Sequence, residues 1–145
     1  MTLERQAFRA SLRLKNNTAG PATNVSAQVT LLDSNGDDAN SSFVFRIDDP
    51  QTVGLDESST LASLAEGSLE WLLGPQIGAA GSNGRRYFVQ AHLSYDLGGT
   101  HFEVDSGRQS IDVSPEPRLT LDYFLPGPVQ ANEPFFLGLI VSNNG

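Results

Sequence analysis

The feature that most limits what this chain can fold into is a strict alternation of apolar and polar residues that recurs from Phe8 to Val113. Phe8, Ala10, Leu12 and Leu14 alternate with Arg9, Ser11, Arg13 and Lys15, and Val25, Ala27, Val29 and Leu31 alternate with Asn24, Ser26, Gln28 and Thr30. A period of two puts every apolar side chain on one face of an extended strand, whereas an amphipathic helix needs a period of about 3.6. The same pattern returns at Phe43, Phe45 and Ile47, at Leu69, Trp71 and Leu73, at Tyr87 through Tyr95, and at Ile111 and Val113. Gly98 and Gly99, between Leu97 and Thr100, supply the positive φ angles of a tight β-hairpin. The best helix candidate, Asp56 to Glu66, carries Ser58, Ser59 and Thr60, which are poor helix-interior residues, so it reads as a loop plus a short strand. Short alternating strands separated by Gly, Pro, Asn and Asp clusters predict an all-β chain, an immunoglobulin-like antiparallel β-sandwich. Its expected core is Leu12, Leu14, Val25, Val29, Phe45, Trp71, Val89, Leu93 and Ile111.

A chain of 145 residues can bury a real core without metals or disulfides, and it has no cysteine to make either a disulfide or a thiolate site. With 17 acidic residues against 9 Lys and Arg, the net charge is −8, and the only lysine is Lys15, so nucleic acid is not an expected partner. No stretch is long and apolar enough for a spanning helix, so direct membrane insertion through one is not expected. An extracellular or cell-surface setting requires a signal outside this sequence, because Met1 to Ala7 has no apolar segment of that kind.

The run Phe135 to Gly145 matches Phe8 to Thr18 position for position, at an offset of 127 (135 minus 8). Phe8 pairs with Phe135, Leu12 with Leu139, Leu14 with Val141, and Asn16-Asn17 with Asn143-Asn144. A shared strand ending in the same turn chemistry is the mark of an internal repeat. The expected organisation is a first sandwich over 1–114, its first strand missing, a Pro-rich linker over 115–117, and the truncated start of a second, incomplete module over 118–145. Both ends read as cut, since only seven residues precede Phe8 and the first module has no counterpart of Leu119 to Tyr123.

Pro117-Arg118-Leu119 through Asn132-Glu133-Pro134-Phe135, then Leu137, Leu139 and Val141 ahead of Asn143-Asn144-Gly145, resemble the opening of the immunoglobulin-like, cell-adhesion-related modules of bacterial surface proteins, the CARDB type. The first module carries a similar passage from Leu12 to Val29, with Thr18 in place of the glycine and a long middle from Asp33 to Leu64. The resemblance implies a non-enzymatic extracellular structural or adhesion module of a tandem array. Its implied partners are neighbouring modules of the same chain, surface proteins or glycans, and it carries over no catalytic residue and no cofactor.

Asp33, Asn35, Asp37 and Asp38 gather oxygen ligands around Gly36, which suits a calcium ion, although the spacing is not that of an EF-hand and a solvated Asn-Gly turn accounts for the same residues. Asp48, Asp49 and Asp56 are acidic loop residues that would have to fold close to complete such a site. A calcium- or carbohydrate-binding accessory domain of a secreted protein is therefore the alternative function. His92 and His101, the only histidines, fall opposite Asp105 and Asp96 when residues are counted outward from the Gly98-Gly99 turn, which predicts exposed cross-strand pairs. No G-x-S-x-G elbow is present, so hydrolase chemistry is not expected. Trp71, Tyr87 and Tyr95 lie on the apolar phase, whereas Phe88 lies on the polar phase and is expected at the surface. Asn16, Asn24 and Asn40 head glycosylation sequons.

Overall fold

The computed structural model describes residues 1–45, 50–117, 119–125, 127–128 and 134–143. It is an immunoglobulin-like β-sandwich. One sheet orders strands β1 (Thr2–Leu3), β9 (Gln109–Ser114), β7 (Arg85–Leu97) and β3 (Ala22–Leu32), with β8 (Thr100–Asp105) also pairing β7. The other orders β2 (Phe8–Lys15), β6 (Glu66–Pro75) and β4 (Phe43–Phe45), with β5 (Gln51–Val53) also on β6. The chain passes between sheets from β2 to β3, back to β4, and from β6 to β7, which is the Greek-key path of this fold. Ile47, the last residue of the expected third strand, and the acidic residues Asp48 and Asp49 lie outside the described residues.

Alternation does the work the sequence suggests. Leu31, Leu73 and Val113 are fully buried, and Trp71 and Tyr87 nearly so, all from the apolar phase of their strands. Of the expected core, Val29 and Trp71 are buried in the main cluster, with Leu12, Leu14, Phe45, Val89, Leu93 and Ile111 packed half-buried against it. Val25 sits in a second cluster with Ala22 and Leu61, joined to the first through Leu14 and Leu93. Phe43 locks the centre, edge-on to Tyr87 at 5.0 Å and to Phe8 at 6.5 Å. Among the described residues the only helical turn is the 3-10 segment Asn40–Ser42. From Asp56 to Ala65 the chain is a loop in which Leu61 bridges Ala22, and β6 begins at Glu66.

The start of the chain carries a short strand that the alternation did not show: Thr2–Leu3 lies parallel to β9, Thr2 opposite Val113 and Leu3 opposite Ser114. The chain then crosses to the other sheet through Glu4, whose N–H donates to Ser114, and Arg5, which adopts φ 62° and donates to the carbonyl of Pro75. Too few residues were available for the alternation to reveal so short a strand.

Beyond the first sandwich, β10 (Leu119–Phe124) and β11 (Gly138–Asn143) form an antiparallel hairpin. Its register pairs Leu121 with Val141 and Tyr123 with Leu139 on one face, and Asp122 with Ile140 on the other. Leu137 and Leu139 are more than half exposed, so the hairpin is not part of the first core. Asn144 and Gly145, the end of the repeated turn, and Asn132 and Glu133 lie outside the described residues.

Candidate functional site

The acidic turn is closed by its own backbone. Asp33 Oδ1 accepts the N–H of Asn35 at 2.8 Å and of Asp37 at 3.0 Å, and Gly36 takes φ 90°, a conformation that favours glycine. Asp38 is likewise engaged, accepting the N–H and the side-chain amide of Asn40. A Cβ at Gly36 would lie 3.7 Å from the Arg108 guanidinium, so a cation of the protein's own already stands beside the turn. Asn35, Asp37 and Asp38 are exposed. Asp56 Oδ1 accepts three bonds within its own loop, from the N–H and hydroxyl of Ser58 and the N–H of Thr60. The Ser58 hydroxyl and the Thr60 N–H hold its pKa below the ordinary value. Among the described residues no three His, Asp or Glu side chains are grouped as a metal set.

The hairpin of β7 and β8 has the register counted from its glycines. Gly98 and Gly99 take φ 58° and 82°, and His101 falls opposite Asp96 and His92 opposite Asp105. Both contacts are Nδ1 to Oδ1 at 2.7 Å, and both histidines are exposed. The Asp96 hydrogen bond raises the His101 pKa, and Asn24 and His101 together lower that of Asp96. Asn24, the residue of the β3 bulge with φ 51°, donates to Asp96 at 2.7 Å. Both are exposed cross-strand pairs on the polar phase of the hairpin.

Phe88 is half-buried rather than exposed, because the register sets it across from Leu32, itself buried. Trp71 and Tyr87 are core residues, and the Tyr87 hydroxyl donates to the Ala79 carbonyl at 2.6 Å. Tyr95 is half-buried and stacks on Phe102 at 5.4 Å. Of the sequons, Asn16 is buried and its amide donates to the carbonyls of Gly20, Leu61 and Ala62, so it staples the loop after β2. Glu4, which the sequence gave no reason to single out, is buried and accepts the Ala80 N–H at 2.8 Å.

Two features present apolar surface. The first is the hairpin face of Leu121, Tyr123, Leu139 and Val141, all more than half exposed. The second runs along the outer edge of β2, where the sheets part into clefts of about 300 Å³ and 210 Å³. One is lined by Leu14, Leu93 and Tyr95, and the other by Phe8, Leu12 and Ile111.

No family model and no curated protein matches the chain. Two solved structures resemble it in shape. One is a family 123 glycoside hydrolase from Clostridium perfringens studied for glycolipid glycan hydrolysis, at 10% identity and TM-score 0.48, covering 79% of this chain and 23% of that one. The other is the periplasmic chaperone SfaE, at 13% identity and TM-score 0.45, covering 79% of this chain and 51% of that one. This chain thus spans about half or less of each, and nothing of their activities is carried over.

Proposed function

We propose that this chain is a non-enzymatic structural or adhesion segment of a tandem extracellular array, built from immunoglobulin-like modules of the cell-adhesion-related CARDB type. The observation that carries the reading is the hairpin. By the offset of 127, Leu139 and Val141 stand where Leu12 and Leu14 stand in the first sandwich, on the strand face that packs against the core. In the hairpin they share that face with Tyr123 and Leu121, yet all four are exposed. A two-stranded hairpin is marginal in water and this one has an apolar face to cover, which suits the opening pair of a second sandwich.

The competing reading, a calcium- or glycan-binding accessory domain, is separated by calorimetric titration with calcium and with an oligosaccharide panel. The structural reading expects no saturable heat and an unchanged melting temperature; saturable uptake that raises the melting temperature would replace it. The extracellular setting is tested by protease shaving of intact cells that express the native gene. Peptides from the exposed loop over 54–66 should be released, and their appearance only after lysis would overturn that setting.

A further inference from the structure

We propose that Asn83 is a self-modification site, where the Asn83-Gly84 linkage rearranges through a cyclic imide to aspartate and isoaspartate with water as the only co-reactant. The chemistry is independent of what the module is for.

An asparagine followed by glycine is the pair in which a side-chain amide and the next backbone nitrogen meet most easily, because glycine has no Cβ to crowd the ring. The Gly84 nitrogen, after losing its proton to solvent base, attacks Asn83 Cγ. The new N–Cγ bond closes the imide, and the Cγ–Nδ2 bond breaks, so that the amide nitrogen takes a proton from solvent and leaves as ammonia. Water then opens the ring. Cleavage at Cγ leaves aspartate; cleavage at the Asn83 backbone carbonyl leaves isoaspartate, in which the main chain runs through the side chain and is one carbon longer. Either product adds one negative charge, and nothing is oxidised or reduced.

The sequence holds the pairs Asn35-Gly36, Asn83-Gly84 and Asn144-Gly145, the last of which lies outside the described residues. The fold separates the other two. Both stand in the same Ser-Asn-Gly run, both asparagines are exposed, and Gly36 and Gly84 take φ 90° and 83°. Each turn also has an arginine beside it: Arg108 lies 3.7 Å from where a Cβ at Gly36 would stand, and Arg85 lies 3.9 Å from where one at Gly81 would. What differs is the attacking atom. The Gly36 N–H donates to the Asp33 carbonyl at 3.1 Å and the Asn35 N–H to Asp33 Oδ1 at 2.8 Å, so that turn must open before its nitrogen is free. An anionic nitrogen there would also sit among Asp33, Asp37 and Asp38, which disfavour it. The Gly84 N–H has no acceptor among the described residues, and the Asn83 side chain makes no hydrogen bond with them. Breaking one hydrogen bond ahead of the reaction slows it about fivefold, so Asn83 is the reactive site.

Isoaspartate at this position disturbs more than charge. Gly84 leads into β7, where Arg85 pairs with Val113, and a Cβ at Gly84 would stand 3.2 Å from the Val113 carbonyl, so the strand side has little room to move. The extra backbone carbon is therefore taken up by the loop over 76–84. Two buried bonds hold that loop, from the Tyr87 hydroxyl to the Ala79 carbonyl at 2.6 Å and from the Ala80 N–H to Glu4 at 2.8 Å. The longer main chain loosens them, whereas a plain aspartate at 83 leaves the backbone as it is.

Timed incubation of the full chain at mildly alkaline pH, followed by peptide mapping with fragmentation that separates aspartate from isoaspartate, tests this. In the folded chain Asn83 should convert about fivefold faster than Asn35, or more, and in urea the two should convert alike. Both rates should rise with pH, since the attacking nitrogen must lose its proton. Asn83→Gln, at an exposed position, should stop conversion there and leave the melting temperature unchanged. The isoaspartate form, separated by ion exchange, should melt about 3 °C or more below Asn83→Asp, the shift expected for one lost buried hydrogen bond in a domain of this size. Equal conversion at Asn35 and Asn83 in the folded chain, or faster conversion at Asn35, overturns the proposal. So does a folded chain that keeps Asn83 intact while the unfolded chain reacts, and so does an isoaspartate form that melts with Asn83→Asp.

Discussion

Replacing Trp71 by alanine tests the strand phase on which the whole sandwich rests. Trp71 is 3% exposed, lies cross-strand from Ala10 on β2 and belongs to the main cluster with Val29, Tyr87 and Ala91. A buried tryptophan withdraws about 200 Å² from water, worth about 5 kcal/mol at about 25 cal/mol per Å². Alanine retains a part of that, which leaves a loss in the usual range of about 3 to 5 kcal/mol for large aromatic deletions. The lower end is expected, because Trp71 also lines the cleft of about 210 Å³ beneath β2. The vacated space opens into that cleft and fills with water instead of remaining an empty cavity. With a urea m-value of about 1.5 kcal/mol per M, a loss of about 3 kcal/mol lowers the midpoint by about 2 M at unchanged m. The internal control is Leu72→Ala, one residue along and on the other face of the sheet, half-buried opposite Arg9, which should cost about 1 kcal/mol. Equal midpoints for the two variants, or a loss below about 1 kcal/mol at Trp71, would refute the phase assignment.

Tyr87→Phe keeps the edge-on contact with Phe43 but leaves the buried Ala79 carbonyl without its 2.6 Å donor, so thermal melting should report a loss of about 1 to 2 kcal/mol; no measurable change would mean that water replaces the hydroxyl. NMR titration should place His101 above its ordinary value of 6.5 and Asp96 below its ordinary 3.8. The raised His101 pKa contributes stability that is complete below the unfolded value and lost as pH rises through the folded one; the lowered Asp96 pKa contributes stability present above the unfolded value and lost as pH falls through the folded one. The pair therefore acts most between about pH 4 and 6.5. His101→Gln should flatten stability across the alkaline limit of that window, and an unaltered pH profile would show the pair to be inert.

The legible part of the fold was the part governed by side-chain period. The strands around Leu12, Val29, Trp71 and Tyr87 are long enough for alternation to show, and the register of the β7–β8 hairpin follows by counting from Gly98-Gly99 because its residues at positive φ sit at the turn itself. β1 was not legible, since two residues carry no period and its pairing is with β9, more than a hundred residues away. Phe88 misled for a related reason: alternation assigns a face, but exposure on that face depends on the cross-strand neighbour, here Leu32. Asn16 read as a sequon because composition cannot show that its amide already donates to three carbonyls. The clefts along β2 were equally invisible, as they depend on which strand ends a sheet.

The two long edges of the sandwich differ in this chain. The outer edge of β3 is closed by loops: Ala22 and Leu61 exchange two backbone bonds, the Val25 N–H donates to Ser59, the Leu31 N–H to the side chain of Asn40, and the Leu31 carbonyl accepts from Ala39. Long unpaired edges recruit other strands, and covering loops are one of the usual protections. β2 has only the charges of Arg9, Arg13 and Lys15 on its polar face. At Arg5 the chain coming from β1 turns toward the second sheet with φ 62° and enters β2, so that Thr2 and Leu3 serve the edge of β9. Five hydrogen bonds from loops of the same sandwich therefore protect the edge of β3 from pairing with foreign strands, and the closure comes from residues far along the chain, Ser59 and Leu61 at one end and Ala39 and Asn40 at the other.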